Sequence, residues 1–120
     1  MSPAEVVEAQ ISAFNAKDYE AFLAMYAEDV CVYDMPHAKP VLVGKAAPGV
    51  AYKPALSNPA VRAEIQSRMI VGNKVVDHER VIGFRPETYD VVAVYEVHES
   101  RIKAMWFFKS NDVSYPPDVA

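Results

Sequence analysis

Residues 61–83, VRAEIQSRMIVGNKVVDHERVIG, decide the fold of this chain. Two runs rich in Val and Ile flank Gly72-Asn73, and a Gly-Asn pair between such runs is typical of a tight hairpin turn. After a loop at 84–87, residues 89–97 and 101–109 continue the same strand-like character. The sequence therefore predicts a four-stranded antiparallel meander in the second half of the chain.

The residues before the meander predict helices. Ser2 can cap a first helix, and Glu5 completes a capping box ahead of apolar residues at helical spacing. Asp18 can cap a second helix, in which Tyr26 shares the buried face. Residues 44–59 combine helical patterns with several prolines and glycines, so we expect a short or broken third helix there.

Helices first and a meander afterwards make an α+β domain. We expect about three N-terminal helices packed on a strongly curved, mostly antiparallel sheet that encloses a pocket on its concave side. The length favours a single domain over residues 1–120, with an extended tail from about residue 111.

The composition excludes several classes of partner. The net charge is −4, and no basic stripe is available for nucleic acid. No run approaches the ~18 apolar residues of a membrane helix. A single cysteine, Cys31, cannot form an internal disulfide, and we expect a cytoplasmic protein.

The motifs also argue against cofactors. The three histidines lie far apart in the sequence, and neither H-E-x-x-H nor C-x-x-C occurs. No glycine-rich phosphate loop is present. The sequence predicts neither a metal ion nor a nucleotide cofactor.

A short strand at 30–34 carries the first candidate for chemistry. Asp34 follows Val30 and Val32 at a period of two and therefore shares their face. On a cavity face its carboxylate would lose solvation and become a usable base near neutral pH. His37 is a candidate second proton carrier. The alternatives are that Asp34 caps the following turn and that His37 is a solvated loop residue.

The order of elements and four short motifs resemble the nuclear transport factor 2-like superfamily, which includes SnoaL-like cyclases and ketosteroid isomerases. The motifs are FNAKD at 14–18, AEDVCVYD at 27–34, GKAA at 44–47 and RIKAMWFF at 101–108. The resemblance implies a cone-shaped, cystatin-like fold over about residues 4–109.

The resemblance to the ketosteroid isomerase branch also implies site residues. The general base of that branch falls on Asp34, and its supporting Tyr falls on Tyr52. The oxyanion-holding Tyr falls on Gln10, and the protonated Asp falls near Ala93. The implied site keeps the base but has a weaker oxyanion hole.

The last strand is apolar on both faces, so both faces should be covered. By the resemblance, Trp106 and Phe108 line the cavity. Together with Phe14 and Val32, they would exclude water from a bound substrate. The opposite face of this strand would then meet a second subunit, which predicts a homodimer through the outer sheet face. A monomer that covers this face with its own tail is the alternative.

Residues 77–80 place four polar groups in the middle of one strand. Alternation means that either Asp77 and Glu79, or His78 and Arg80, face inward. The sequence leaves the two possibilities open.

Two functions fit these expectations. The first is a cofactor-independent, isomerase- or cyclase-like enzyme acting on a small hydrophobic carbonyl compound, with Asp34 as general base and Gln10, Tyr52 or His37 at the enolate oxygen. The second is a non-catalytic module of the same fold that binds a small hydrophobic ligand or assembles with protein.

Overall fold

The structure, a computed structural model, describes residues 1–109. The helices are α1 (Pro3–Ala16), α2 (Tyr19–Ala24), α3 (Ala46–Ala51) and α4 (Lys53–Leu56). The strands are β1 (Tyr26–Asp34), β2 (Leu42–Val43), β3 (Arg62–Val71), β4 (Lys74–Ile82), β5 (Tyr89–His98) and β6 (Arg101–Lys109). The tail expected from about residue 111 lies outside the described residues.

The strands form one curved, unclosed sheet in the order β2-β1-β6-β5-β4-β3. β3 to β6 are successive antiparallel neighbours, and β1 joins β6 in parallel. The turn between β3 and β4 uses Gly72 at φ 59°, a backbone conformation that glycine adopts without steric cost. The predicted α+β fold with a mostly antiparallel meander is confirmed.

α1 covers the concave face of the sheet. The capping box of Ser2 and Glu5 is present at its start, as the sequence predicts. At its end, the Asn15 amide bonds both backbone groups of Ala63 in β3, at 2.9 and 2.8 Å. These two bonds hold the C-terminal end of α1 against the edge strand β3, at one side of the concave surface.

The element bounds differ from expectation in three places. Tyr26 lies in β1 rather than on the face of the second helix, because it pairs with Ile102 of β6. The broken third helix is divided into α3 and α4. β2 is a further two-residue strand that the sequence did not predict, and it pairs with β1 through Cys31 and Val32.

Over residues 1–109, no helix has the length and hydropathy required to cross a bilayer. The cytoplasmic location expected from the single cysteine stays a prediction.

Candidate functional site

A cavity lies between α1, the α3–α4 segment and the concave face of the sheet. Its volume is ≈ 70 Å³, which is enough for several water molecules or a small organic molecule. Apart from one carboxyl, one amide and three phenol groups, its walls are apolar. The polar lining residues are Gln10, Tyr52, Glu79, Tyr89 and Tyr95.

Alternation along β4 decides which polar residues reach this cavity. Asp77 and Glu79 point to the concave face and are buried, with 0% and 5% of their surface exposed. His78 and Arg80 point to the convex face, where both bond the carboxylate of Asp90 at 2.7 and 2.9 Å. The Asp77/Glu79 alternative is therefore the one the fold adopts.

Glu79 is the acidic group on the cavity wall. Tyr95 Oη donates a hydrogen bond of 2.5 Å to Glu79 Oε2. Burial raises the pKa of Glu79 to about 7, the Tyr95 bond opposes this, and the nearby Asp77 carboxylate adds to it. A carboxyl group that titrates near neutrality can both accept and return a proton at physiological pH.

Asp77 lies deeper than Glu79 and has its own cation. The Arg68 guanidinium on β3 bonds both carboxylate oxygens of Asp77, at 2.7 and 2.9 Å. Arg68 also contacts Glu8 of α1 at 3.2 Å. The carboxylates of Asp77 and Glu8 share this guanidinium, so Arg68 acts on Glu79 only through its charge, and Glu79 has no ion pair of its own within residues 1–109.

Gln10 and Tyr52, two further polar residues of the cavity, each have a buried side-chain oxygen without a hydrogen-bond partner among the described residues. Gln10 Nε2 donates to Tyr26 Oη at 3.1 Å, while Gln10 Oε1 is buried without a hydrogen-bond partner among the described residues. The Tyr52 hydroxyl is also buried and unpartnered within residues 1–109. Burial raises the pKa of Tyr52, and the Glu79 carboxylate raises it further. Such groups cost free energy unless a ligand or water satisfies them.

The sequence and the fold match known proteins. Residues 7–105 match the SnoaL-like domain family. The chain belongs to that family. Its fold is that of the nuclear transport factor 2-like superfamily.

Solved structures resemble this SnoaL-like domain over most of its length. An uncharacterised cystatin-fold protein from Novosphingobium aromaticivorans is 28% identical, with a TM-score of 0.79 and coverage of 91% of this chain and 99% of that one. A candidate ketosteroid isomerase from Kribbella flavida is 16% identical, with a TM-score of 0.76 and coverage of 96% and 82%. A computationally designed 17-OHP binder is 18% identical, with a TM-score of 0.79 and coverage of 93% and 94%. The search of curated proteins found no match.

Only some of the predicted site residues lie on the cavity wall of this SnoaL-like domain. Gln10, Phe14 and Tyr52 lie on the cavity wall. Asp34 does not line it: its Oδ2 accepts a hydrogen bond from Lys109 Nζ at 3.0 Å, at the end of β1. His37 lies in the loop after β1, exposed, with its Nδ1 2.9 Å from the backbone oxygen of Asp34.

The lining predicted for β6 is wrong by one residue. Met105 and Phe107 line the cavity, whereas Trp106 and Phe108 point to the convex face. The reason is a bulge at Lys103, which lies between successive pairing positions of β6 with β5 and reverses the alternation after it. Val32, the remaining predicted lining residue, is fully buried in the core instead.

Strand alternation in the sequence leaves Glu79 as one of two alternatives, and no sequence motif indicates Tyr95 as a site residue. Ala93, where the resemblance places a protonated Asp, lies two residues before Tyr95 on the same face of β5. No group of three or more His, Cys, Asp or Glu side chains within residues 1–109 could hold a metal ion.

Proposed function

We propose that this SnoaL-like domain is a cofactor-independent enzyme that transfers a proton on a small hydrophobic carbonyl compound. The observation that carries the proposal is Glu79: a buried carboxyl group on an apolar cavity wall, with its pKa raised to about 7. A carboxyl group with a pKa near 7 can act as a general base at physiological pH.

The chemistry is the removal and return of one proton at carbon atoms of the ligand. Glu79 Oε1 takes a proton from a carbon next to the carbonyl group, and the electron pair of that C–H bond moves to form an enolate. The enolate then recovers the proton from Glu79 at its α-carbon or, where a C=C bond is conjugated with the enolate, at the γ-carbon, and the second outcome moves the double bond. Tyr95 donates to Oε2 of Glu79 throughout and thereby orients the carboxyl group.

Tyr52 supplies the hydrogen bond to the developing enolate oxygen. Tyr52 lines the cavity, and its hydroxyl is buried without a hydrogen-bond partner among the described residues. A neutral donor held in a low-dielectric site stabilises an oxyanion more than it would in water. Apolar walls, including Phe14 and Phe107, exclude the water that would compete.

Asp34 remains a rival for the role of base, as the resemblance implies. Its side chain is also mostly buried, and one of its oxygens, Oδ1, has no hydrogen-bond partner within residues 1–109. The position on the cavity wall favours Glu79, because a base must come within hydrogen-bond reach of the carbon it deprotonates.

The test is proton exchange at enolisable carbons. A panel of small cyclic and aryl ketones is incubated with the protein in D2O, and loss of the C–H signal is followed by NMR. We expect Glu79→Gln to reduce the enzymatic rate by about 10²–10⁴-fold. The wild-type rate should rise with pH through about 7, because only ionised Glu79 accepts a proton.

The matched variant is Asp34→Asn, which makes the same carboxyl-to-amide change off the cavity wall. Loss of exchange in Asp34→Asn with retention in Glu79→Gln would return the role of base to Asp34. No acceleration by the wild type with any ketone would reject the enzymatic function.

The second candidate is a non-catalytic receptor for a small apolar ligand. The designed 17-OHP binder of the same fold favours it, because in that protein the fold serves as a binding scaffold. A ligand that binds with micromolar or better affinity and is recovered unchanged, with no exchange of its protons, would support this candidate.

We also propose a homodimer through the convex face of the sheet. The corrected alternation of β6 places Trp106 and Phe108 there, and Val92 lies beside Phe108 on β5. Phe108 and Val92 are both exposed in the single chain. A second copy of the chain would remove this apolar surface from water.

A further inference from the structure

We propose that the cavity binds a small primary amine in its ammonium form, held by Glu79, Gln10 and Tyr52. This binding function goes beyond the proton transfer proposed above and does not depend on it. It follows from which hydrogen-bonding atoms of the cavity are left uncommitted.

The uncommitted atoms are all able to accept hydrogen bonds. Tyr95 occupies Oε2 of Glu79, which leaves Oε1 without a protein donor among the described residues. Gln10 lines the cavity and commits its Nε2 to Tyr26, which leaves its Oε1 buried without a hydrogen-bond partner among the described residues. The Tyr52 oxygen is the third acceptor. A primary ammonium group carries three N–H donors, one for each of these atoms.

The charge balance favours a cation. Arg68 is bonded to both oxygens of Asp77 and to Glu8. Its charge lowers the pKa of Glu79 from a distance, but within residues 1–109 no cation forms an ion pair with the ionised form of Glu79. A buried carboxylate is stabilised when it is paired with an opposite charge and hydrogen-bonded. An ammonium group in the cavity would supply both.

The walls favour a cation as well. Six aromatic rings line the cavity, namely Phe14, Tyr52, Phe84, Tyr89, Tyr95 and Phe107. The face of an aromatic ring attracts a cation within about 6 Å of its centroid. Two of these rings already have protein cations over them, Lys17 over Phe14 at 5.0 Å and Arg85 over Tyr89 at 5.6 Å. The rings of Phe84 and Tyr95 have no protein cation over them within residues 1–109, and the ammonium would use these faces.

The size of the cavity argues for a free small amine. Its volume of ≈ 70 Å³ suits a short alkyl or single-ring group, and the polar atoms Gln10 Oε1 and Tyr52 Oη are buried. A lysine side chain carries the same ammonium group, but it would have to bring its peptide backbone to the cavity mouth. The test separates these two sources.

The experiment compares pairs of ligands that differ only in charge. Binding of n-butylammonium and 1-butanol, and of benzylammonium and benzyl alcohol, is measured by calorimetry and by NMR at pH 8. Each ammonium ion should bind at least ~10-fold more tightly than its alcohol, which corresponds to ~1.4 kcal/mol. The preference should fall as the pH drops below about 7, because protonated Glu79 no longer carries the charge.

The groups that face Glu79 define what else could titrate in this range. They are Tyr95, Asp77, Arg68, Tyr52 and Tyr26. The three phenols have their pKa raised by burial, and the Arg68 guanidinium has its pKa raised by Asp77. These four groups therefore keep their protons at pH 5–8, and the pH effect is assigned by its loss in Glu79→Gln.

Three variants complete the test. Glu79→Gln should abolish the preference for the ammonium ion, and Gln10→Leu should weaken ammonium binding several-fold while leaving the alcohol unaffected. Glu64→Gln, the same change on the convex face of β3, should behave as the wild type. The pH dependence of the wild type gives an independent reading if a cavity variant fails to fold.

Equal affinity for amine and alcohol at pH 8, or an ammonium preference that survives in Glu79→Gln, would overturn the proposal. Binding of Nα-acetyl-lysine methylamide in place of the free amines would overturn the assignment to a free amine. Ketone exchange can persist when ammonium binding fails, so the two proposals fail separately.

Discussion

Glu79 combines, in one side chain, burial and a place on a cavity wall. Burial disfavours its charged form, and the covering of β4 by α1 keeps water away from it. The stabilising partner that most buried carboxylates have goes instead to Asp77, which Arg68 holds in a bidentate ion pair. A buried acid kept near its neutral form in this way costs stability when it ionises.

Because ionisation of buried Glu79 lowers the stability of the folded state, Glu79→Gln should change stability in a pH-dependent way. The folded-state pKa is raised from 4.5 to about 7, so the contribution of Glu79 to stability is complete below pH 4.5 and is lost as the pH rises through about 7. At ~1.4 kcal/mol per pH unit, the total loss is about 3 kcal/mol. Urea unfolding should find Glu79→Gln more stable than the wild type at pH 8, and this difference should shrink towards pH 5.

Glu64→Gln on the convex face controls for the general effect of removing a carboxylate, and it should show no such trend. A difference between Glu79→Gln and the wild type that stays constant from pH 5 to pH 8 would contradict a raised pKa.

At the scale of elements, a buried ion pair joins β3 and β4. Arg68 and Asp77 are neighbours in register, and Asp77 has no exposed surface. Arg68→Met removes the guanidinium and leaves a buried carboxylate unpaired, at a cost of about 3–5 kcal/mol. Arg62→Met, which breaks the exposed pair of Arg62 with Glu64 on the same strand, should cost less than about 1 kcal/mol.

Chemical denaturation of the two variants at pH 7 measures both values. Equal destabilisation by Arg68→Met and Arg62→Met would show that Asp77 does not depend on its ion pair.

The sequence predicted the elements better than the orientation of their side chains. The meander was predictable because Val- and Ile-rich runs and turn residues such as Gly72 are local signals. The orientation of Trp106 and Phe108 was not, because the bulge at Lys103 arises from pairing between strands. Glu79 was one of two possibilities because alternation gives two sets of residues, and the helix packed on one face selects between them.

At the scale of the whole molecule, the sheet has two apolar faces with different coverings. The helices and the cavity cover the concave face, whereas Phe108 and Val92 remain exposed on the convex face of the single chain. A dimer through this face would explain why β6 is apolar on both sides.

The dimer predicts a change of mass on substitution at the convex face. Sedimentation velocity at micromolar concentration should give the mass of two chains for the wild type and of one chain for Phe108→Lys. Val50→Lys, at an exposed apolar position of α3, should remain dimeric. A wild-type protein with the mass of a single chain would contradict the proposed dimer.

The central claim is that Glu79 holds its proton up to near-neutral pH inside the cavity, and its titration tests this most directly. The side-chain carboxyl carbons of glutamate are labelled with 13C, and the Glu79 signal is identified by its absence in Glu79→Gln. We predict a titration midpoint near pH 7 for this signal. A midpoint near 4.5, the ordinary pKa of glutamate, would contradict the account of the site.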